Sequence, residues 1–154
     1  MKAAFINPFL NSLLDVMGTM AQTTLTPGQA QLKKDEKAQG DVSGIIGMVG
    51  PQTRGSLAIT FEKGLALKVY ERMLGDTAEE IGDEVTDMVG EITNMVTGGA
   101  KRILGEQGYE FEMATPAVVS GMNHSITHKV HGPRLLMPFT SDAGRAYIEI
   151  CFED

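Results

Sequence analysis

The chain has few of the residues that build extracellular or membrane-spanning proteins. Its 154 residues include one cysteine, Cys151, and no tryptophan. A single cysteine excludes an internal disulfide and is typical of a reducing compartment. No run of about 18 apolar residues occurs, although a membrane-spanning helix would need one. The amino-terminal segment is interrupted by Asn7, Pro8 and Asp15 and so lacks the core of a signal peptide. We therefore expect a cytoplasmic protein.

Positive charge is also scarce. The chain has 13 Lys and Arg residues against 20 Asp and Glu residues, which gives a formal net charge of −7. This balance argues against nucleic acid or an anionic membrane as the main partner. The hydrophobic share of 42% is ordinary. At this length we expect residues 1–154 to form a single domain that buries a core.

Hydrophobic periodicity divides the chain into helices and strands. Helical spacing of apolar residues predicts helices over residues 8–22, 63–74 and 83–104. Val- and Ile-rich or alternating segments predict strands over residues 41–50, 55–62, 109–120, 134–140 and 145–152, with Pro116 interrupting the third. Each half of the chain is thus a long helix followed by strands. The polar segment 31–39, which includes Lys33, is expected to be an exposed strand or loop with solvated charges.

Two residue clusters resemble functional motifs but lack their essential parts. Gly44, Gly47 and Gly50 lie inside a strand pattern, without the Gly-Lys-Ser/Thr sequence or the following helix of a phosphate-binding loop. Close packing of a helix over small strand positions explains these glycines better. A second cluster contains three histidines close in sequence. Glycine and proline residues around them predict strand or loop, and no nearby cysteines or carboxylates complete a metal site. The histidines are His124, His128 and His131.

The segment 83–104 has polar residues on one helical face and apolar residues on the other. Asp87, Glu91 and Asn94 follow one another at i, i+4 and i+7, so their side chains point the same way. Two acids one turn apart repel each other, and asparagine is a modest helix former. Helix stability therefore does not explain this choice of residues. Gly90, Gly98 and Gly99 have no side chain, so another molecule can approach this part of the helix closely.

The run Asp87-x-x-x-Glu91-x-x-Asn94, followed further along by Pro116, resembles the signature of the CheC/CheX/FliY chemotaxis phosphatases. All four elements stand at the family's spacing. The amino-terminal sequence FINPF, the segment SGIIGMVG and the overall length are most similar to the CheX type. The resemblance covers essentially the whole chain. It implies an α+β fold of two pseudo-repeated helix-plus-strands halves. In this fold an approximately six-stranded sheet carries two long helices side by side on one face.

The resemblance also implies an activity and a role for each residue of the signature. CheX-like proteins hydrolyse the aspartyl phosphate on the receiver domain of a chemotaxis response regulator. Asn94 would orient the attacking water, and Glu91 would pair with the receiver's active-site lysine. Asp87 and Gly98 would contact the partner, and Pro116 would have a structural role. The receiver would supply Mg²⁺, so the phosphatase needs no cofactor or metal of its own. Relatives form homodimers, so the resemblance also implies a homodimer.

Two alternatives stay open at the level of sequence. Charge on a helix face is commonly only a solvated surface. A chain of this fold could also dock on a receiver or on the flagellar switch without hydrolysing anything. The intact pair of Glu91 and Asn94 favours a phosphatase over such a non-catalytic interaction module. A phosphate-release assay distinguishes the two.

Overall fold

The structure is a computed structural model that describes residues 3–51 and 53–153. Within these residues the chain forms three helices, α1 (Ala3–Met20), α2 (Lys63–Leu74) and α3 (Asp83–Glu106). It also forms eight strands: β1 (Thr26–Pro27), β2 (Gln31–Leu32), β3 (Val42–Val49), β4 (Arg54–Phe61), β5 (Glu112–Met113), β6 (Ala117–Ser120), β7 (Arg134–Thr140) and β8 (Arg145–Phe152). No helix in this part of the chain is long and apolar enough to cross a bilayer.

All eight strands belong to one antiparallel sheet in the order β1-β7-β8-β4-β3-β5. Strand β2 also pairs with β7, and β6 pairs with β3. The predicted α+β class is confirmed. The sheet has eight strands rather than about six because the predicted strand over 109–120 is divided into β5 and β6 and because the two-residue strand β1 was not predicted. A two-residue strand has no alternation that periodicity could detect.

Helix α1 begins at Ala3 and not at Pro8, where the sequence predicted its first turn. Proline has no N–H, so Pro8 cannot donate the helical hydrogen bond to the carbonyl of Ala4. Aromatic contacts stabilise the additional turn despite this loss. The ring of Phe5 lies 4.5 Å from that of Tyr109 and 5.3 Å from that of Phe152, centroid to centroid.

The two long helices pack against each other and against one face of the sheet. The Ser12 hydroxyl of α1 donates a 2.8 Å hydrogen bond to the carbonyl of Val96 in α3. A Cβ atom on Gly99 would overlap the Ser12 side chain, so the helices approach closely. A Cβ atom on Gly44 of β3 would overlap Thr93 of α3 in the same way. The predicted packing of a helix over a small strand position is confirmed at Gly44.

The opposite face of the sheet, called here the outer face, is partly covered by residues 33–38 and 121–133. The amide of Ala38 donates to the carbonyl of His124 between these segments, and His124 Nε2 lies 2.7 Å from the Ser43 hydroxyl. The prediction that Lys33 is solvated is wrong. Its side chain is 3% exposed and forms a 2.6 Å ion pair with Glu149 of β8. The ammonium group of Lys33 thus compensates the charge of a buried carboxylate.

The edge strand beside β3 contains one extra residue. In β5, Met113 pairs with Met48, whereas in β6, Ala117 pairs with Ile45. Three residues of the edge strand, 114–116, therefore stand opposite two residues of β3, which is the arrangement of a β-bulge. Pro116 is one of these three. A bulge tolerates proline because the residue has no ladder hydrogen bond to lose. Segment 114–116 is called the bulge below.

Candidate active site

Helix α3 positions the predicted residues on a rigid support. Its buried side contains Val85, Met88 and Ile92, which pack in the core between the helix and the sheet. Asp87 and Glu91 lie on the opposite, exposed side together with Asn94. A helix of 24 residues is a rod of about 36 Å, and packing along one side fixes the direction of every side chain on the other.

The exposed side of α3 forms one wall of an open groove of about 500 Å³. The bulge and the first half of β6 form the other wall. Pro116 is half-buried and lines this groove. The structure therefore brings all four residues of the sequence motif to one place. The lining residues are Thr86, Asp87, Gly90, Glu91 and Asn94 on the helix, and Thr115, Pro116 and Val118 opposite them.

The groove stays open because the helix has a glycine at its narrowest approach to β6. A Cβ atom on Gly90 would lie 3.4 Å from Cγ2 of Val118, which is already van der Waals contact. A larger side chain at Gly90 would fill the space between the walls. Gly98 behaves differently. It lies one turn beyond Asn94, does not line the groove, and a Cβ atom there would meet nothing within 4 Å.

The polar groups of the groove are available to a partner. Within residues 3–51 and 53–153, the side chains of Asp87, Glu91 and Asn94 make no hydrogen bond or ion pair. Two carboxylates and one amide can thus form hydrogen bonds or ion pairs with groups of another molecule. An amide both donates and accepts while staying uncharged. This arrangement can orient a water and capture a cation.

The three histidines have structural partners or lie at the surface. The ring of His128 lies between Ser56 and Glu149, at 2.8 Å from the Ser56 hydroxyl and 3.1 Å from Oε1 of Glu149. His124 is held by Ser43 as described above, and His131 is exposed. No group of three possible metal ligands occurs among the described residues. The arrangement accounts for two of the histidines as buried hydrogen-bonding groups.

Sequence reasoning did not find the second wall of the groove. Thr115 and Val118 line it, yet the sequence assigned a role in this region only to Pro116. Val118 had no distinguishing signal, because its position beside Gly90 depends on its pairing with Gly44 of β3. The neighbouring proline was the available indication for Thr115, since a proline inside a strand pattern often marks a bulge.

Comparison with known proteins identifies the family. A profile of the family described as chemotaxis phosphatase CheX matches residues 42–140. The chain belongs to the CheX family. The match includes α3, the bulge and both walls of the groove, and the predicted resemblance is confirmed. No curated protein sequence matches the chain significantly.

Solved structures of CheX-like proteins share the complete fold. A CheC-like superfamily protein from Shewanella sp. PV-4 is 63% identical, with a TM-score of 0.94 and 100% coverage of both chains. The chemotaxis protein CheX from Vibrio vulnificus is 62% identical, with a TM-score of 0.92, covering 98% of this chain and 100% of its own. A third structure is a CheX–CheY–BeF3–Mg²⁺ complex from Borrelia burgdorferi. It matches with 25% identity and a TM-score of 0.82, covering 97% of this chain and 98% of that one.

Proposed function

We propose that this CheX-family protein hydrolyses the aspartyl phosphate of a CheY-like receiver domain. The observation that carries the proposal is the exposed, unpaired Glu91 and Asn94 on a rigid helix beside an open groove. An acyl phosphate is already activated, so the enzyme needs to supply position and charge rather than a nucleophile. The structure of a Borrelia burgdorferi CheX in complex with CheY supports the choice of partner.

Asn94 is proposed to enter the receiver's active site and orient a water in line with the phosphorus. Its amide can accept one hydrogen bond from the water and donate another to a phosphoryl oxygen. A carboxylate at this position would meet the phosphoryl group with like charge. The glutamine of small GTPases positions water in a comparable way.

Glu91 is proposed to pair with the lysine of the receiver's active site and so to set the docking position. It lies almost one turn before Asn94 on the same face, so one docking event can engage both residues. Asp87 lies one turn earlier and extends the acidic contact. Gly98 lies outside the groove. Its proposed part in docking is limited to the absence of a side chain on the exposed side of α3 beyond Asn94, which lets the partner approach the helix.

The metal in this reaction is proposed to belong to the receiver. The Borrelia burgdorferi complex contains Mg²⁺ together with CheY. In the part of the present chain that the structure describes, no cluster of three possible metal ligands exists. The proposed role of this chain is to bring an amide and a carboxylate to a metal site of the partner.

A phosphate-release assay tests the proposal. Phosphorylated CheY-like receivers from the same genome are incubated with and without the purified chain. We expect the chain to accelerate phosphate release from at least one receiver in catalytic amounts. Tight binding to a phosphorylated receiver with an unchanged rate of phosphate release would favour the non-catalytic interaction module instead.

We also propose that two chains associate through sheet edges. The outer edge of β6 has no neighbouring strand among the described residues. Val119 of β6 is 36% exposed, and Met122 just beyond it is 85% exposed. An edge strand with one unpaired side and apolar side chains is a site for strand addition. Light scattering should give the mass of a dimer, and Val119→Lys should give a monomer. A monomeric wild-type chain would contradict this proposal.

A further inference from the structure

A second hollow, of about 330 Å³, lies on the outer face of the sheet, away from the groove. Ile45, Gly47 and Val49 of β3 form its floor, because they alternate with the residues that face α3. The bulge and Ala117 bound one side, and residues 127–130 bound the other. The volume is at the lower end of the range for small-molecule sites, which is about 300–1,000 Å³.

Gly47 has no packing reason to be glycine. A Cβ atom on Gly44 would overlap Thr93, and one on Gly50 would overlap the carbonyl of Glu110. By contrast, a Cβ atom on Gly47 would meet nothing within 4 Å. Glycine in a strand interior weakens the strand, and one of its uses is to let a ligand approach the backbone closely. The missing side chain leaves the floor of the hollow empty.

Two cationic side chains line the same hollow. Arg54 is 54% exposed at its side chain, and among the described residues its guanidinium forms only a long ion pair of 3.6 Å with Glu153. Lys129 is exposed and makes no ion pair within residues 3–51 and 53–153. In a chain of net charge −7, two such cations beside an apolar floor are complementary to an anion with an apolar body.

We propose that this hollow binds a small amphipathic carboxylate. The apolar part of the ligand lies over Gly47 between Ile45 and Val130, and the carboxylate lies between Arg54 and Lys129. The size of the hollow limits the ligand to a short aliphatic or single-ring acid. The site is distinct from the groove, because the floor faces away from α3.

A bound acid would also contact the bulge, which separates the two sites. Thr115 lines both the hollow and the groove. A ligand that presses on Thr115 therefore changes the wall opposite Asn94. This regulatory effect rests on the proposed phosphatase function, whereas binding itself does not. The two can be measured separately.

Titration with octanoate, followed by amide chemical shifts, tests the binding site. We expect saturable shifts around Gly47, Ala117 and Val130 with millimolar affinity. Octanol has the same alkyl chain without the charge. Its affinity should be lower by a factor of up to about five, as expected for loss of exposed charge pairs. Shifts that are absent, do not saturate or lie elsewhere would overturn the proposal.

Two variants locate the ligand within the hollow. Gly47→Leu fills the floor, and we expect it to weaken octanoate binding about tenfold or more. Arg54→Gln combined with Lys129→Gln removes the charges from two exposed positions, and it should abolish the preference for octanoate over octanol. If Gly47→Leu fails to fold, Gly47→Ala and the charge variant decide the question. Unchanged affinity in these variants overturns the site.

Phosphate release measured with saturating octanoate tests the effect on the groove. A changed rate in the wild type but not in Gly47→Leu supports coupling through Thr115. An unchanged rate with intact binding overturns the coupling and keeps the site. If no phosphatase activity is found at all, the titration still decides whether the hollow binds carboxylates. A dimer that Gly47→Leu converts to monomer, with no octanoate binding, would assign the hollow to a second copy of the chain.

Discussion

The ammonium group of Lys33 and the carboxylate of Glu149 form a buried ion pair that joins residues far apart in the chain. The distance from Nζ to Oε2 is 2.6 Å, and the two side chains are 3% and 2% exposed. His128 contacts the second carboxylate oxygen at 3.1 Å. The Nδ1 atom of the same ring lies 2.8 Å from the Ser56 hydroxyl, so His128 links Glu149 to β4. The pair therefore anchors residues 33–38 and 121–133 on the outer face.

Replacing Lys33 with methionine should destabilise the protein by about 3–5 kcal/mol, because it leaves the charge of Glu149 buried without its partner. Adding Glu149→Gln should recover part of the loss, since the amide oxygen still accepts from His128. Urea unfolding measures both variants. The neighbouring exposed Lys34→Met is the control, with an expected change within about 0.5 kcal/mol. Equal effects at Lys33 and Lys34 would show that the pair has no structural role.

Asn94→Ala should lower the rate of receiver dephosphorylation by about 10²-fold or more, because one positioned polar group of the reaction is lost. Binding to the phosphorylated receiver should change little. Phosphate release and titration are measured side by side. Asn11→Ala is the matched control, since Asn11 is an exposed asparagine on α1. Wild-type turnover in Asn94→Ala would exclude the proposed role of the amide.

Glu91→Ala should weaken both docking and turnover, because the receiver's lysine would lose its charged partner. We expect affinity to fall about tenfold or more, as for loss of a hydrogen-bonded charge pair at an interface. The measurement is a titration against a receiver carrying a stable phosphoryl mimic. Asp87→Ala should lower the affinity less in the same titration. Unchanged affinity in Glu91→Ala would contradict the ion pair.

Gly44→Ala should destabilise the protein by about 1–3 kcal/mol, because its Cβ atom would force Thr93 and α3 away from the sheet. Thr93→Ala in the same chain should restore part of the stability by removing the hydroxyl from the overlap. Gly47→Ala is the control, because its Cβ atom enters open space. It should stabilise the strand by about 0.5–1 kcal/mol. Thermal unfolding that ranks the two alanine variants in the opposite order would show that Gly44 does not set the distance between α3 and the sheet.

The Tyr70 hydroxyl donates a 2.7 Å hydrogen bond to Glu84 at the start of α3. This bond, with burial and the charge of Glu84, raises the pKa of Tyr70 from 10.0 to about 12. Since the pKa is higher in the folded state, the stabilisation is complete below pH 10 and is lost as the pH rises through about 12. Ultraviolet absorbance of the phenolate follows the titration.

Glu84→Ala should bring the pKa of Tyr70 back towards 10.0 by removing the acceptor. Tyr70→Phe should remove the transition near pH 12 from the absorbance curve, which assigns that transition to Tyr70. A titration that is the same with and without Glu84 would mean that the hydrogen bond does not form in solution.

The long elements could be predicted from sequence because their signals are local. Helix α2 spans the predicted residues and ends at Gly75, whose φ of 73° is the left-handed conformation typical of a helix end. Strands β7 and β8 also have the predicted bounds. Alternation of side chains and a turn between two runs are contained within a few residues, so no knowledge of the rest of the fold was needed.

The features that sequence reasoning missed depend on distant parts of the chain. The burial of Lys33 follows from Glu149, and no local pattern links the two residues. Within the site, the common direction of the side chains on α3 could be predicted from helical spacing alone. The position of Thr115 on the opposite wall could not be predicted, because strand register is set by pairing with β3 rather than by the residues of the bulge themselves.

The bulge absorbs the extra residue of the edge strand, so the pairing of β6 with β3 is kept. Met113 and Val118 both face the helices, because Met113 pairs with Met48 and Val118 pairs with Gly44. Removing one residue between Met113 and Ala117 would leave two residues opposite two of β3, so the edge would become a regular strand and Val118 would stay beside Gly90. A chain shortened by one residue here should therefore keep the pairing of β6 and lose the bend that brings Thr115 to both the groove and the outer hollow.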